Sequence, residues 1–280
     1  MEASAQRRKF RGATNAVMTT LTAACAFVAV TILLLILGYI AMRGLTSISL
    51  QFLMSEPKPI GEGGGIGNAI LGSLILLGLS SLIGLPLGIT AGIYLAEFGD
   101  GWFGSIVRFV TDTLTGVPSI VVGVFVYTII VLPQKQFSAW AGGVALALIM
   151  IPIVTRTTEE MIRLVPTSLR EGALALGAPQ WRVTLGVVLP AAASGIATGA
   201  MLAIARVSGE TAPLLFTAFG SRFYNYYLDQ PMASLTVQIY NYAISPYDEW
   251  HSMAWAATLV LMTLILVINI AVRFFTRKKF

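Results

Sequence analysis

The sequence predicts an all-α polytopic membrane protein with six transmembrane helices and both termini cytoplasmic. Three observations carry this expectation. The 280 residues are 56% hydrophobic and only 11% charged, with a mean hydropathy of +0.80, too apolar for a soluble domain of this size. The apolar residues fall into long uncharged runs separated by segments that hold nearly all the charge. Lysine and arginine are unequally shared between alternate segments, as topology signals are. The net charge of +5 therefore reads as a membrane signature and argues against nucleic-acid binding. A single cysteine, Cys25, and a single histidine, His251, exclude an internal disulfide framework and argue against a Cys/His metal cluster.

Arg7, Arg8, Lys9 and Arg11 lie in an expected cytoplasmic tail, 1–16, and precede an uncharged run, 17–42. At about 1.5 Å per residue this run spans a bilayer with some tilt, and it exceeds the ~7–15-residue core of a signal peptide. It reads as an uncleaved anchor enclosing a buried, inert Cys25. Residues 43–65, with Pro57, Pro59 and Gly61-Glu-Gly-Gly-Gly, have loop composition. No phosphate-loop lysine follows those glycines and GxxxxGK[ST] occurs nowhere, so nucleotide hydrolysis would reside on another polypeptide.

The second span, 66–96, carries Gly72, Gly78, Gly84, Gly88 and Gly92 together with Pro86, the composition of a bent helix packed closely inside a bundle. Glu97, Asp100, Arg108 and Asp112 mark a short polar link. The third span, 113–132, opens with Gly116-Val-Pro-Ser. Pro118 fits either the first turn of a helix restarted after a break, with free N–H groups aimed at a pathway, or a simple kink. A tight turn at 133–135 leads into the fourth span, 136–155.

Residues 156–190 form the long charged interruption. Arg156, Glu159, Glu160, Arg163, Arg170, Glu171 and Arg182 cannot face hydrocarbon, yet Leu, Val and Ala recur among them at helical spacing, which predicts short amphipathic helices at the membrane surface. Ser168 followed by Glu171 is a capping-box pattern that starts one helix near Leu169. Gly177 ends it with a positive φ, and Pro179 opens a second helix running toward Pro190.

The fifth span, 192–219, and the sixth, 252–272, flank a polar, aromatic-rich link, 220–251, and the chain ends in a basic tail, 273–280. Within the link, 232–240 reads as a short interfacial helix or as a contact for an external partner. His251, at the membrane boundary, reads as structural. Six spans place the termini, Arg108 and the 156–190 loop on one side, with most of the Lys and Arg. The opposite side holds only Arg43, Lys58, Lys135 and Arg222, so the basic side is cytoplasmic.

Arg206 and Glu210 fall near the middle of the fifth apolar run, where a charge costs about 2.5–3.5 kcal/mol on an insertion scale. They would neutralise each other one turn apart, although acid-before-base is the better helical order. The other reading is an anion pathway in which Arg206 offers planar donors, Ser208 and Thr211 add hydroxyls, and Gly209 with Pro213 loosens the helix. Glu210 would then hold Arg206 until an anion arrives.

Two resemblances sharpen this. Glu171, Ala173 and Gly177, followed after nine further residues by Val187, Leu189 and Pro190, resemble the EAA loop of ABC-importer permeases; Gly172 stands where Ala is usual and Val187 replaces Ile. RVSGETAPL at 206–214, TLTGVPSIVVGVF at 113–125 and SLTVQIY at 234–240 are similar to motifs of phosphate-specific ABC importer permeases, and the ETAPL ending looks like the A-type subunit. The resemblance covers about residue 67 to the C-terminus and implies the type I importer permease fold in the cell membrane. It implies that Glu171, Gly172, Ala173 and Gly177 couple to a separate ATPase, and that Arg206 and Glu210 take part in phosphate passage. It also implies a heterodimer with a C-type permease, two ATP-binding subunits that carry ATP and Mg, and an extracytoplasmic phosphate-binding protein, with no cofactor in this chain. A permease for sulfate, molybdate or phosphonate, an ATP-independent anion channel, a membrane enzyme and a regulatory scaffold stand as alternatives.

Overall fold

A computed structural model describes the backbone of residues 2–277 and the side chains of 11–274. The side chains of Arg7, Arg8, Lys9 and Arg277, and all of Lys278 and Lys279, lie outside the described residues. The chain is almost entirely helical. Helix α1 (Glu2–Gly44) is continuous and begins well before the expected start at Val17. It touches the rest of the molecule mainly at its C-terminal end, where Tyr39 packs edge-on to Trp255 and Gly44 meets Leu259. Cys25 is exposed on it, which corrects the expectation of a buried thiol: among the described residues no other segment covers the middle of α1.

A short helix α2 (Leu50–Met54), capped by Ser49, interrupts the expected loop 43–65. The glycines that follow turn the chain back, with positive φ at Gly61 and Gly63. Helix α3 (Gly67–Phe98) matches the second span and passes through Pro86 without a break. Helix α4 (Trp102–Gly116) replaces the expected polar link and the first residues of the third span. It is bent by 105° from helix α5 (Ser119–Val126), which continues through a π-helical turn, Tyr127–Val131, into helix α6 (Leu132–Gln134). Pro118 lacks an N–H and holds Val117 extended, so the chain breaks here rather than kinks. Lys135 ends α6 in the left-handed region, as a tight turn requires.

Helix α7 (Ala139–Arg163) runs two turns beyond the expected end at Thr155, so Arg156, Glu159, Glu160 and Arg163 are its last turns and not a surface helix. Helix α8 (Thr167–Ala175) starts directly after Pro166, which places Ser168 inside the first turn; no capping box forms there. Gly177, at φ +80°, ends it as expected. Helix α9 (Gln180–Val183), a π-helical turn at Thr184–Val188 and helix α10 (Leu189–Ser208) form one path, so the fifth span begins at Gln180 rather than 192. It also stops at Ser208. Helix α11 (Ala212–Thr217), helix α12 (Leu235–Ala243) and helix α13 (Asp248–Arg277) complete the chain. Among the described residues five helices are long and apolar enough to cross a membrane, and the bent α4–α5 pair supplies a sixth if counted as one span.

The centre of the bundle is the α3–α7 contact. Gly84, Gly88 and Gly92 form an i, i+4 stripe against Met150, Val154 and Thr158, and a Cβ on Gly88 or Gly92 would lie 2.7 Å from Val154 Cβ or 2.6 Å from Thr158 Cβ. Small residues thus let the two backbones approach, the packing that substitutes for a hydrophobic drive in lipid. Leu76, Leu146, Met150, Ala203 and Val207 fill the surrounding core.

The segments assigned by charge to opposite sides gather at opposite ends of this core. At one end Ala139 N donates to Gln230 O, Asn68 Nδ2 to Ser221 O, and Gly61 N to Glu249. At the other, fully buried Glu159 accepts from Arg108 Nε at 2.7 Å and pairs with Arg163 at 2.9 Å. Arg108 also donates to the carbonyls of Leu95 and Gly99, closing the C-terminus of α3.

Candidate functional site

Arg206 lies in the last turn of α10 and Glu210 in the break that follows, Gly209–Thr211. The break follows from the sequence: Pro213 cannot donate to the turn before it, Gly209 weakens the helix, and α11 restarts beyond them. The guanidinium Nη1 of Arg206 is hydrogen-bonded to Glu210 Oε1, so the ion pair one turn apart is formed. The two partners differ in exposure. The Glu210 side chain is only 7% exposed, whereas that of Arg206 is 57% exposed.

The exposed part of Arg206 borders a cavity of about 330 Å³ between α4, α5, α7 and α10. Its wall is formed by Leu114, Thr115, Val117, Ser119, Val122 and Phe125 on one side and Leu148, Ile149 and Ile153 on the other, and Arg206 is its charged lining residue. Ile149 and Ile153 sit at the middle of α7, with roughly 15 Å of helix on either side. One cation in an apolar chamber at this depth favours an anion, and the acceptor it holds among the described residues is Glu210.

The three motifs at 113–125, 206–214 and 234–240 converge on the break. Gly123 of α5 lies against Pro213, where a Cβ would stand 2.6 Å from Pro213 Cα. Thr236 Oγ1 of α12 donates to the Glu210 carbonyl at 2.9 Å. Helix α12 is thus not an interfacial helix lying on the surface: Leu235, Thr236, Val237 and Tyr242 are buried, and Ser73 Oγ of α3 accepts from Leu235 N at 2.8 Å.

Ser208 and Thr211 are not brought to the cavity. The Ser208 hydroxyl donates to Ile204 O at 2.7 Å within α10, and Thr211 begins α11 without a side-chain cap. The hydroxyls that do line the chamber belong to Thr115 and Ser119. Thr115 donates to Thr111 O, which leaves its oxygen as an acceptor, whereas Ser119 is not engaged among the described residues. Both stand in the 113–125 motif, and only the 105° bend turns them toward Arg206.

At the other end, Glu171, Gly172 and Gly177 are exposed on α8 and its C-terminal turn, and Ala173 packs inward against the Ile162, Val165 and Val183 cluster. Leu174, Leu176 and Trp181 stand exposed beside them. Arg170 fastens α8 to the body: it pairs with Glu97 at the end of α3 and donates to Ile162 O at 2.9 Å, while Thr184 also reaches Glu97. This clamp was not legible as a pair in the sequence, because its members lie 73 residues apart. His251 Nε2 lies 2.6 Å from Ser245 O and fixes the turn before α13, a structural contact.

Comparison with known proteins follows the same line. Residues 88–280 match the family described as binding-protein-dependent transport system inner membrane component. The phosphate transport system permease protein PstA of Yersinia pestis is 46% identical over all of this chain and 95% of its own length, and that of Haemophilus influenzae is 47% identical over 87% of each. Among solved structures, a bacterial alginate ABC transporter in complex with an alginate pentasaccharide-bound periplasmic protein aligns with a TM-score of 0.66 at 16% identity, over 91% of this chain and 93% of that one. The MetNI methionine ABC transporter in an inward-facing conformation aligns at 0.59 and 19%, over 76% and 94%. The chain belongs to the binding-protein-dependent transport system inner membrane components and, within them, to the PstA phosphate-permease family.

Proposed function

We propose that this chain is the permease subunit of an ATP-driven importer that moves inorganic phosphate into the cytoplasm, and that phosphate passes Arg206 in the chamber between α5 and α7. The observation that carries this reading is the half-exposed guanidinium facing an apolar chamber while its carboxylate partner stays buried. A phosphate oxygen replaces Glu210 as acceptor for part of the Arg206 fork, and Glu210 reclaims it when the anion leaves, so the site binds without trapping. The chain is a transporter component and not an enzyme. Phosphate is favoured over other oxyanions by the PstA relatives, which this chain matches at 46% and 47% identity over 95% and 87% of their lengths.

The basic ends and α8 face the cytoplasm by the positive-inside rule. There, the exposed face around Glu171, Gly172, Gly177, Leu176 and Trp181 docks an ATPase subunit, with Ala173 packed behind it and Arg170 passing its motion to α3 through Glu97. ATP and Mg bind on two such subunits. A C-type permease completes the membrane domain, and an extracytoplasmic binding protein delivers phosphate. The test is uptake of labelled phosphate in cells that lack their own A-type permease and carry the other subunits, with sulfate, molybdate and phosphonate as competitors. Uptake restored and competed only by phosphate supports the reading; uptake of another of these anions in its place refutes it.

A further inference from the structure

A second, larger cavity of about 800 Å³ opens at the end of the molecule that holds the 43–65 and 220–251 segments. Its lining carries Lys58 and Arg222 and no acidic residue. Both cations are exposed, and among the described residues neither forms an ion pair. Of the carboxylates on the neighbouring segments, Glu56 accepts from Tyr224 N at 2.7 Å and Glu249 from Gly61 N at 3.0 Å, and Glu62, Asp229 and Asp248 stand outside the lining. Ser234, Gln238 and Asn241 add polar atoms, and Phe219 and Trp250 supply apolar walls.

One helix separates this cavity from the Arg206 region. Ser234, Val237, Gln238, Asn241 and Tyr242 line the outer cavity at i, i+3, i+4, i+7 and i+8, a single face of α12. Thr236, on another face, is bonded to the Glu210 carbonyl. The far wall, Leu215 and Phe219, belongs to α11 and the residue after its C-terminal cap, immediately beyond the break.

The geometry points to an external anteroom for the anion: Lys58 and Arg222 together hold an inorganic phosphate above the break before it reaches Arg206. This rests on the phosphate-permease reading for the identity of the anion. Two unpaired cations converging on one polar cavity give a positive potential that concentrates an anion and releases it readily, because neither charge is desolvated.

The test uses the whole assembly without its binding protein, with Cys25→Ser, Asn241→Cys and no other reactive cysteine. Inorganic phosphate is expected to slow labelling of position 241 by a negatively charged methanethiosulfonate reagent severalfold, and this protection is expected to vanish in Lys58→Gln/Arg222→Gln. A neutral reagent should label both at equal rates, showing that the fold is intact. Absence of protection with Lys58 and Arg222 present, or protection that survives their replacement, overturns the proposal. So does a severalfold loss of binding-protein affinity in Lys58→Gln/Arg222→Gln without any phosphate protection, which would make the cations a protein-docking patch. Protection is expected to persist in Arg206→Gln, so the anteroom and the pathway reading fail separately; protection lost in Arg206→Gln would assign the signal to the inner chamber and refute the anteroom.

Discussion

Thr236 Oγ1 donates a 2.9 Å hydrogen bond to the backbone carbonyl of Glu210, and by it helix α12 holds the break that positions the Arg206–Glu210 pair. A carbonyl freed by a helix break inside lipid needs a donor, and Thr236 supplies it. Thr236→Val keeps the shape and removes the donor, so it should destabilise the purified assembly by about 1–3 kcal/mol and slow phosphate uptake. Thr236→Ser should restore both. Thermal unfolding and uptake measured on the same preparations check this.

The contact of Gly123 with Pro213 makes a sharper demand on space. Gly123→Ala places a methyl 2.6 Å from Pro213 Cα, a backbone atom that cannot swing aside, so α11 or α5 must move. Uptake should fall strongly. Gly116→Ala, where a Cβ meets nothing within 4 Å, should leave it unchanged. Equal effects of the two would show that the α5–α11 contact does not shape the chamber.

The α3–α7 stripe predicts a stability contrast along one helix. Gly88→Leu overpacks the contact with Val154 and should cost about 1–3 kcal/mol or more in the unfolding of the assembly. Gly78→Ala faces open space and should stay within about 1 kcal/mol of wild type.

Much of this was readable beforehand, for identifiable reasons. Long uncharged runs mark spans because burying charge in lipid is costly; α3 accordingly runs close to the expected 66–96, while α1 and α13 contain the expected 17–42 and 252–272 and extend beyond them. Gly177 was readable because a left-handed turn selects glycine. Helix ends near charge were not: Arg156 to Arg163 looked like surface residues, yet Glu159 is buried because Arg108, from another helix, reaches it. Pairings of residues distant in sequence, such as Arg170 with Glu97, leave no periodic trace. Ser208 and Thr211 do not line the chamber beside Arg206, for a related reason. The Ser208 hydroxyl is spent on Ile204 O within α10, and the bend at Pro118 brings Thr115 and Ser119 to the chamber instead.

The clamp on α8 predicts uncoupling. Gly177→Val strains a φ of +80° by about 1–3 kcal/mol, and Arg170→Ala frees α8 from Glu97. In the reconstituted assembly both should lower phosphate moved per ATP hydrolysed while the chain still inserts and assembles. An unchanged ratio in both would remove α8 from the coupling path.

The central claim is that Arg206 meets the transported phosphate. Its most direct test is labelled phosphate uptake by wild type, Arg206→Lys and Arg206→Gln at equal membrane abundance, with assembly of the partner subunits verified for each. Losing a charge-assisted contact worth about 1.5–3 kcal/mol should cut uptake by roughly tenfold or more in Arg206→Gln, with Arg206→Lys intermediate. Full uptake by an assembled Arg206→Gln transporter would contradict the claim and leave Arg206 as the structural partner of Glu210.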